Sequence, residues 1–71
     1  MERTPVNSSM IASIGYDSSN GTLEVEFKKG GAIWQYYDVP EHVWHELQSA
    51  SSLGQYFLAN IRDVFGGSRV G

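Results

Sequence analysis

Residues 22–28 constrain this chain more than any other stretch. Leu23, Val25 and Phe27 alternate with Glu24, Glu26 and Lys28, the period of two expected of a half-buried strand. Turn signals bracket it. Asp17-Ser18-Ser19-Asn20-Gly21 comes before, and its Asn-Gly pair accepts the positive φ of a tight turn. Lys29-Gly30-Gly31 comes after. A strand held between two reversals pairs with its sequence neighbours. Residues 10–16 and the aromatic run 32–38 are therefore predicted as its partners in a three-stranded antiparallel meander.

The period then changes. Pro40 suits the first position of a helix. Val43, Leu47 and Ala50 recur at helical spacing with Trp44 beside them, predicting an amphipathic helix of about three turns. Ser52 and Gln55 have the Ser-x-x-Gln spacing of a capping box, which starts a second helix. Phe57, Ile61, Val64 and Phe65 give that helix one apolar stripe, and Gly66-Gly67 ends it. Strands followed by helices predict an α+β domain, β-β-β-α-α, with both helices on one sheet face. Residues 1–8 read as a flexible arm, 9–66 as the single domain and 67–71 as a frayed tail.

Parity decides the role of the third strand. A two-residue turn at Gly30-Gly31 sets Phe27 opposite Trp34 and Val25 opposite Tyr36, so both aromatics face the core. A three-residue turn puts them on the open face as a stacking platform. Gln35 favours the first arrangement, since it then shares a side with Glu24 and Glu26. That arrangement leaves Ile33 and Tyr37 on the open face, a surface for self-association unless loops or the arm cover it.

Size makes packing matter. A chain of 71 residues buries only about 60% of its unfolded surface, and without cysteine it has no disulfide or thiolate-bound zinc. The 13% aromatic content supplies large buried area per residue. Five basic and eight acidic side chains give a formal charge of −3, which counts against strong phosphate-led binding of nucleic acid. No apolar stretch approaches the ~20 residues of a membrane span, and no leader is evident. A cytoplasmic protein with no membrane partner is expected.

Catalytic motifs fail one by one. His45-Glu46-Leu47-Gln48-Ser49 begins like HExxH but has serine in place of the second histidine. His42 and His45 lie three apart and read as surface histidines. No serine sits in a nucleophile elbow. Glu24 and Glu26, about 7 Å apart along a strand, read as a solvated face. The start of the second helix, Ser51-Ser52-Leu53-Gly54, is a natural place for an anion, although a cap with tight helix packing explains it as well. A non-catalytic chain without metal or cofactor is expected.

Ile14-Gly15-Tyr16-Asp17, Leu23-Glu24-Val25-Glu26-Phe27, Trp34-Gln35-Tyr36-Tyr37-Asp38-Val39-Pro40 and Ser52-Leu53-Gly54-Gln55-Tyr56-Phe57 with Ile61-Arg62 together resemble the KTSC domain over residues 8–65. That family is named for its place at the C-terminus of certain lysyl-tRNA synthetases, and it also stands alone in bacteria and phages. Its central Tyr-x-Tyr reads Trp34-Gln35-Tyr36 here, and Leu58 stands where the family often has asparagine. The resemblance implies an RNA- or nucleotide-binding module. Trp34, Tyr36 and Tyr37 would then stack on bases, and Lys28, Lys29 and Arg62 would meet phosphate, with Ser52 and Gly54 as the helix-start anion site. The alternatives are a protein-interaction or homodimeric module, or a phage-type inhibitor that sequesters a host signal nucleotide or protein.

Overall fold

In the computed structural model, which describes residues 1–71, the alternating stretch is a strand, Thr22–Phe27. It is the centre of five strands rather than of three. In chain order the elements are β1 (Thr4–Pro5), β2 (Ile11–Asp17), β3 (Thr22–Phe27), β4 (Ile33–Tyr36), α1 (Glu41–Ser49), α2 (Leu53–Asn60) and β5 (Gly67–Arg69). The sheet order is β1-β2-β3-β4-β5, antiparallel throughout. The expected α+β class and the two helices after the meander are correct. Where an arm and a tail were expected, each end of the chain supplies an edge strand, so the sheet has five strands and not three.

The β3–β4 register differs from the expected one by two residues. Leu23 pairs with Tyr36 and Val25 with Trp34. Phe27 N donates to Ala32 O at 2.9 Å, so the turn takes in Lys28 and Lys29 as well as Gly30 and Gly31. Both glycines have positive φ, 72° and 66°. A slip of two preserves parity. Trp34 and Tyr36 therefore lie on the core side with Leu23 and Val25, and the stacking-platform alternative is excluded. Asp38, at φ 57°, turns the chain out of β4, and Pro40 serves as the N-cap of α1 rather than its first residue.

The helices cover the Leu23 face. Val43 and Leu47 of α1, Phe57 of α2 and Ile61 just after it bury against Ile11, Ile14, Leu23, Val25 and Tyr36. Phe57 presents its ring to the edges of Phe27 and Tyr36, each at 5.4 Å between centroids, and Trp44 stacks on Tyr16 at the same separation. Ser52 Oγ accepts from Gln55 N at 3.3 Å, as the capping pattern predicts. Tyr56 Oη donates to Glu46 Oε1 at 2.8 Å and ties α2 to α1. Burial, then that bond, pushes the phenol up to about 12. The second helix stops at Asn60 instead of Gly66. Ile61 N and Arg62 N both donate to Phe57 O, closing the helix in a turn that redirects the chain toward β4. Val64, expected on the apolar stripe, is thereby 64% exposed.

Gly67 explains how the tail becomes a strand. A Cβ there would stand 2.6 Å from Tyr36 Cδ1 and Cε1, so only a bare backbone lets β5 lie along β4. The N-terminal edge uses the same device. A Cβ on Gly15 would collide with the Glu2 carbonyl, so the missing side chain opens a path for residues 2 and 3 across β2.

That path brings Arg3 over the polar face. Its guanidinium donates to Glu24 Oε2 and, at 3.0 Å, to Ser13 Oγ. Ser13 Oγ donates to Glu26 Oε1 at 2.8 Å, and Gln35 Nε2 donates to Glu24 Oε1 at 2.8 Å. Glu24, expected on a solvated face, is only 6% exposed. Burial alone raises its carboxyl. The hydrogen bonds from Gln35 and Arg3 and the Arg3 charge outweigh that, and the net shift is downward from 4.5.

Two outcomes follow from these contacts. Gly67→Ala should lower stability by about 1–3 kcal/mol, the cost of forcing extra atoms into packed surroundings. Urea unfolding would measure it, and amide exchange should show β5 losing protection first. The folded carboxyl of Glu24 lies below its unfolded value, so its contribution is complete above about pH 5 and disappears as pH falls through the folded value. Arg3→Ala should shrink that acid-side loss, read as urea midpoints compared between about pH 3 and pH 7.

Candidate functional site

Trp34 and Tyr36 alternate along β4 on the core side, and their rings stack at a centroid distance of 6.3 Å. They meet different fates. Tyr36 is enclosed by Phe57 and by the backbone of Gly67 and is 4% exposed. Trp34, two residues earlier on the strand, packs against the same core but is only half-buried. A cleft of about 370 Å³ opens beside it, lined by Phe27, Trp34, Tyr36, Arg62, Asp63 and Gly67. Tyr36 is its floor rather than an accessible ring. Burial pushes the Tyr36 phenol up, the Arg62 charge opposes this and Asp63 adds to it; both side chains line the same cleft. Arg62 and Asp63 pair at 3.4 Å with both side chains mainly in solvent, and such a pair contributes little.

Three of the eight predicted site residues, Trp34, Tyr36 and Arg62, thus share one cleft. The others do not. Tyr37 lies beyond β4 and is 39% exposed. Its hydroxyl bonds to Ser68 Oγ at 2.8 Å and donates to Gln35 Oε1 at 3.3 Å, so it belongs to the polar face and cannot stack with Trp34. Lys28 and Lys29 are exposed in the turn that follows Phe27. Ser52 and Gly54 line a separate hollow with Ser8, Ser9 and Met10. There Ser52 Oγ is used by the cap, and a Cβ on Gly54 would meet only ordinary contacts from 3.5 Å, so tight packing does not require the glycine.

The structure adds Arg69. It was placed in the tail, but the β4–β5 register sets it directly opposite Trp34, and directly paired residues project to one face. The sequence signal was the Gly66-Gly67 pair, readable as a strand entry as well as a helix end. His42 and His45 are exposed on α1, and no three His, Asp or Glu side chains gather where a metal ion could be held. No helix is long and apolar enough to cross a membrane.

The cleft can offer one aromatic face, an apolar floor and a weakly engaged guanidinium. Its lining contains no nucleophile paired with a base.

Comparison with known proteins places the chain. The crystal structure of a KTSC domain protein from Yersinia pestis superposes with a TM-score of 0.94 at 41% identity, over 99% of this chain and 97% of that one. An uncharacterized protein of Stutzerimonas stutzeri is 44% identical over 57 residues, which are 80% of this chain and 79% of that protein. A lysine–tRNA ligase of Trichormus variabilis is 40% identical over 57 residues, 80% of this chain but 10% of the ligase. The KTSC domain model matches residues 7–65. With the domain model matched over residues 7–65, the same fold, and 41–44% identity to the Yersinia and Stutzerimonas proteins over most of their length, the chain belongs to the KTSC domain family.

Proposed function

We propose that this chain is a non-catalytic binding module for RNA or a nucleotide, and that the cleft at Trp34 is where the ligand sits. The observation that carries the reading is the half-buried indole of Trp34, set in a cleft with Arg62 at its rim. A base needs an aromatic face, and stacking contributes about 1–3 kcal/mol per base. A phosphate needs a cation able to leave its present partner, and the exposed Arg62–Asp63 pair is cheap to break. The occurrence of this domain within lysine–tRNA ligases supports RNA as the natural source, and a cytoplasmic location accords with it. The activity of those ligases is not carried over, since the matched segment is 10% of their length.

A second reading has its own observation. β5 is an outer strand with all three residues exposed, and Val70 beside it is 52% exposed. An unpaired edge accepts a strand from a partner or a second copy.

The two indole N–H resonances make the first reading testable by NMR, because Trp44 is held against Tyr16 away from the cleft lining. Titration with tRNA, then with a nucleotide mixture, should move the Trp34 indole and leave Trp44 nearly still. Trp34→Ala should weaken binding at least about fivefold, the lower end of one stacking contribution. An unmoved Trp34 with both ligands would sink the reading. A light-scattering mass that doubles with concentration would instead favour the β5 edge.

A further inference from the structure

We infer that the Trp34 cleft takes an unpaired nucleotide whose flanking phosphates run over the sheet end formed by Lys28, Lys29 and Arg69, and that it excludes a double helix. This deepens the RNA or nucleotide reading and rests on it.

The inference starts from where the cations are committed. Of the five basic side chains, Arg3 is held by Glu24 and Ser13 beneath the N-terminal edge. Arg62 has only its exposed neighbour Asp63. Arg69 donates Nε–H to the Gly71 carbonyl at 2.8 Å and has no acidic partner. Lys28 and Lys29 have none either, since the two ion pairs of the molecule are Arg3–Glu24 and Arg62–Asp63.

Strand direction then gathers these cations. The rung beyond Glu26↔Ile33 is Phe27 with Ala32, where the turn of Lys28 and Lys29 begins. Ile33 is also the residue to which Val70 and Gly71 bond, so β5 finishes at the same end. Arg69 faces Trp34. The acidic side chains Asp17, Asp38 and Glu41 lie at the other end, where Val39 N donates to Gly21 O. Near the basic end, Glu26 is bonded to Ser13 on the polar face, and Asp63 is the one carboxylate in the cleft. A formal charge of −3 therefore coexists with a basic end, and a segregated field steers an anion where a net charge would not.

Size selects the form of the ligand. About 370 Å³ accommodates one base, and Trp34 lies inside the cleft rather than on a flat surface. In a helix the bases are stacked and paired, and only an unpaired base can be splayed onto an aromatic ring. One cation in the cleft, Arg62, and three along the adjoining sheet end, Lys28, Lys29 and Arg69, match a short single-stranded segment, with a free nucleotide as the smallest ligand of the same chemistry.

The test is a set of affinities for AMP, a fluorescent single-stranded RNA octamer and the same octamer annealed to its complement, each across a salt series. The octamer should bind tighter than AMP and at least tenfold tighter than the duplex. Its log K should fall against log salt with a slope of about −2 to −3, at roughly −0.7 per phosphate contact. Arg69→Gln, or the turn variant Lys28→Gln/Lys29→Gln, should flatten that slope by about 0.7 per cation lost while the Trp34 indole still shifts. The turn variant lies in an exposed loop, so folding is not at issue. A Trp34 shift with the slope unchanged in both variants would overturn the cation track and leave RNA or nucleotide binding standing. Equal affinity for duplex and single strand would overturn the exclusion of helices. No Trp34 shift with any of the three would overturn both readings.

Discussion

The ring of Tyr36 is where three separate parts of the chain meet. Trp34 stacks on it from the same strand, Phe57 presents its ring from α2, and the bare backbone of Gly67 lies against it from β5. Parity turns Tyr36 inward to meet Phe57, which also packs on Phe27, and β5 lies along β4 because nothing projects from Gly67. In a chain of 71 residues without a disulfide, one well-packed aromatic joint of this kind carries what larger domains spread over a broad core. The cleft adjoins the same joint, with Tyr36 buried and Trp34 half-buried at its side.

Periodicity made the middle of the fold legible. The alternation from Leu23 to Phe27 and the spacing of Val43 and Leu47 report burial on one side, and burial is what a periodic pattern encodes. The facing of Trp34 and Tyr36 survived a wrong register because two residues of error cancel in parity. The edges were illegible for a related reason. Thr4-Pro5 and Gly67-Ser68-Arg69 are exposed throughout, so no alternation marks them. What makes them strands is the absence of a side chain on a different residue, Gly15 in one case and Gly67 itself in the other. Glu24 illustrates the same limit. A carboxylate on a strand reads as solvated until a distant arginine is found lying over it.

Of the candidate site, the sequence named the aromatic residues and the arginine but not which of them lie together. Trp34, Tyr36 and Arg62 converge, whereas Tyr37 falls on the opposite face and Ser52 with Gly54 in another hollow. Residue type suggested stacking for all three central aromatics, and only the register distinguishes an accessible ring from a buried one. Net charge hides arrangement in a comparable way. A sum over the chain discards position, and position is what separates Asp17, Asp38 and Glu41 from Lys28, Lys29 and Arg69.

Five sequential antiparallel strands have one more consequence. An odd count means that the first and last strands run in the same direction, so the chain enters at one end of the sheet and leaves at the other, along opposite edges. A polypeptide continuing from both termini would pass through the domain in line, with the 27 Å body acting as a rigid link rather than a side branch. Tension between the termini would load the outermost hydrogen bonds in shear, all at once, instead of peeling them apart in turn. Short edge strands that look weak on their own are thereby placed in the geometry that resists pulling best.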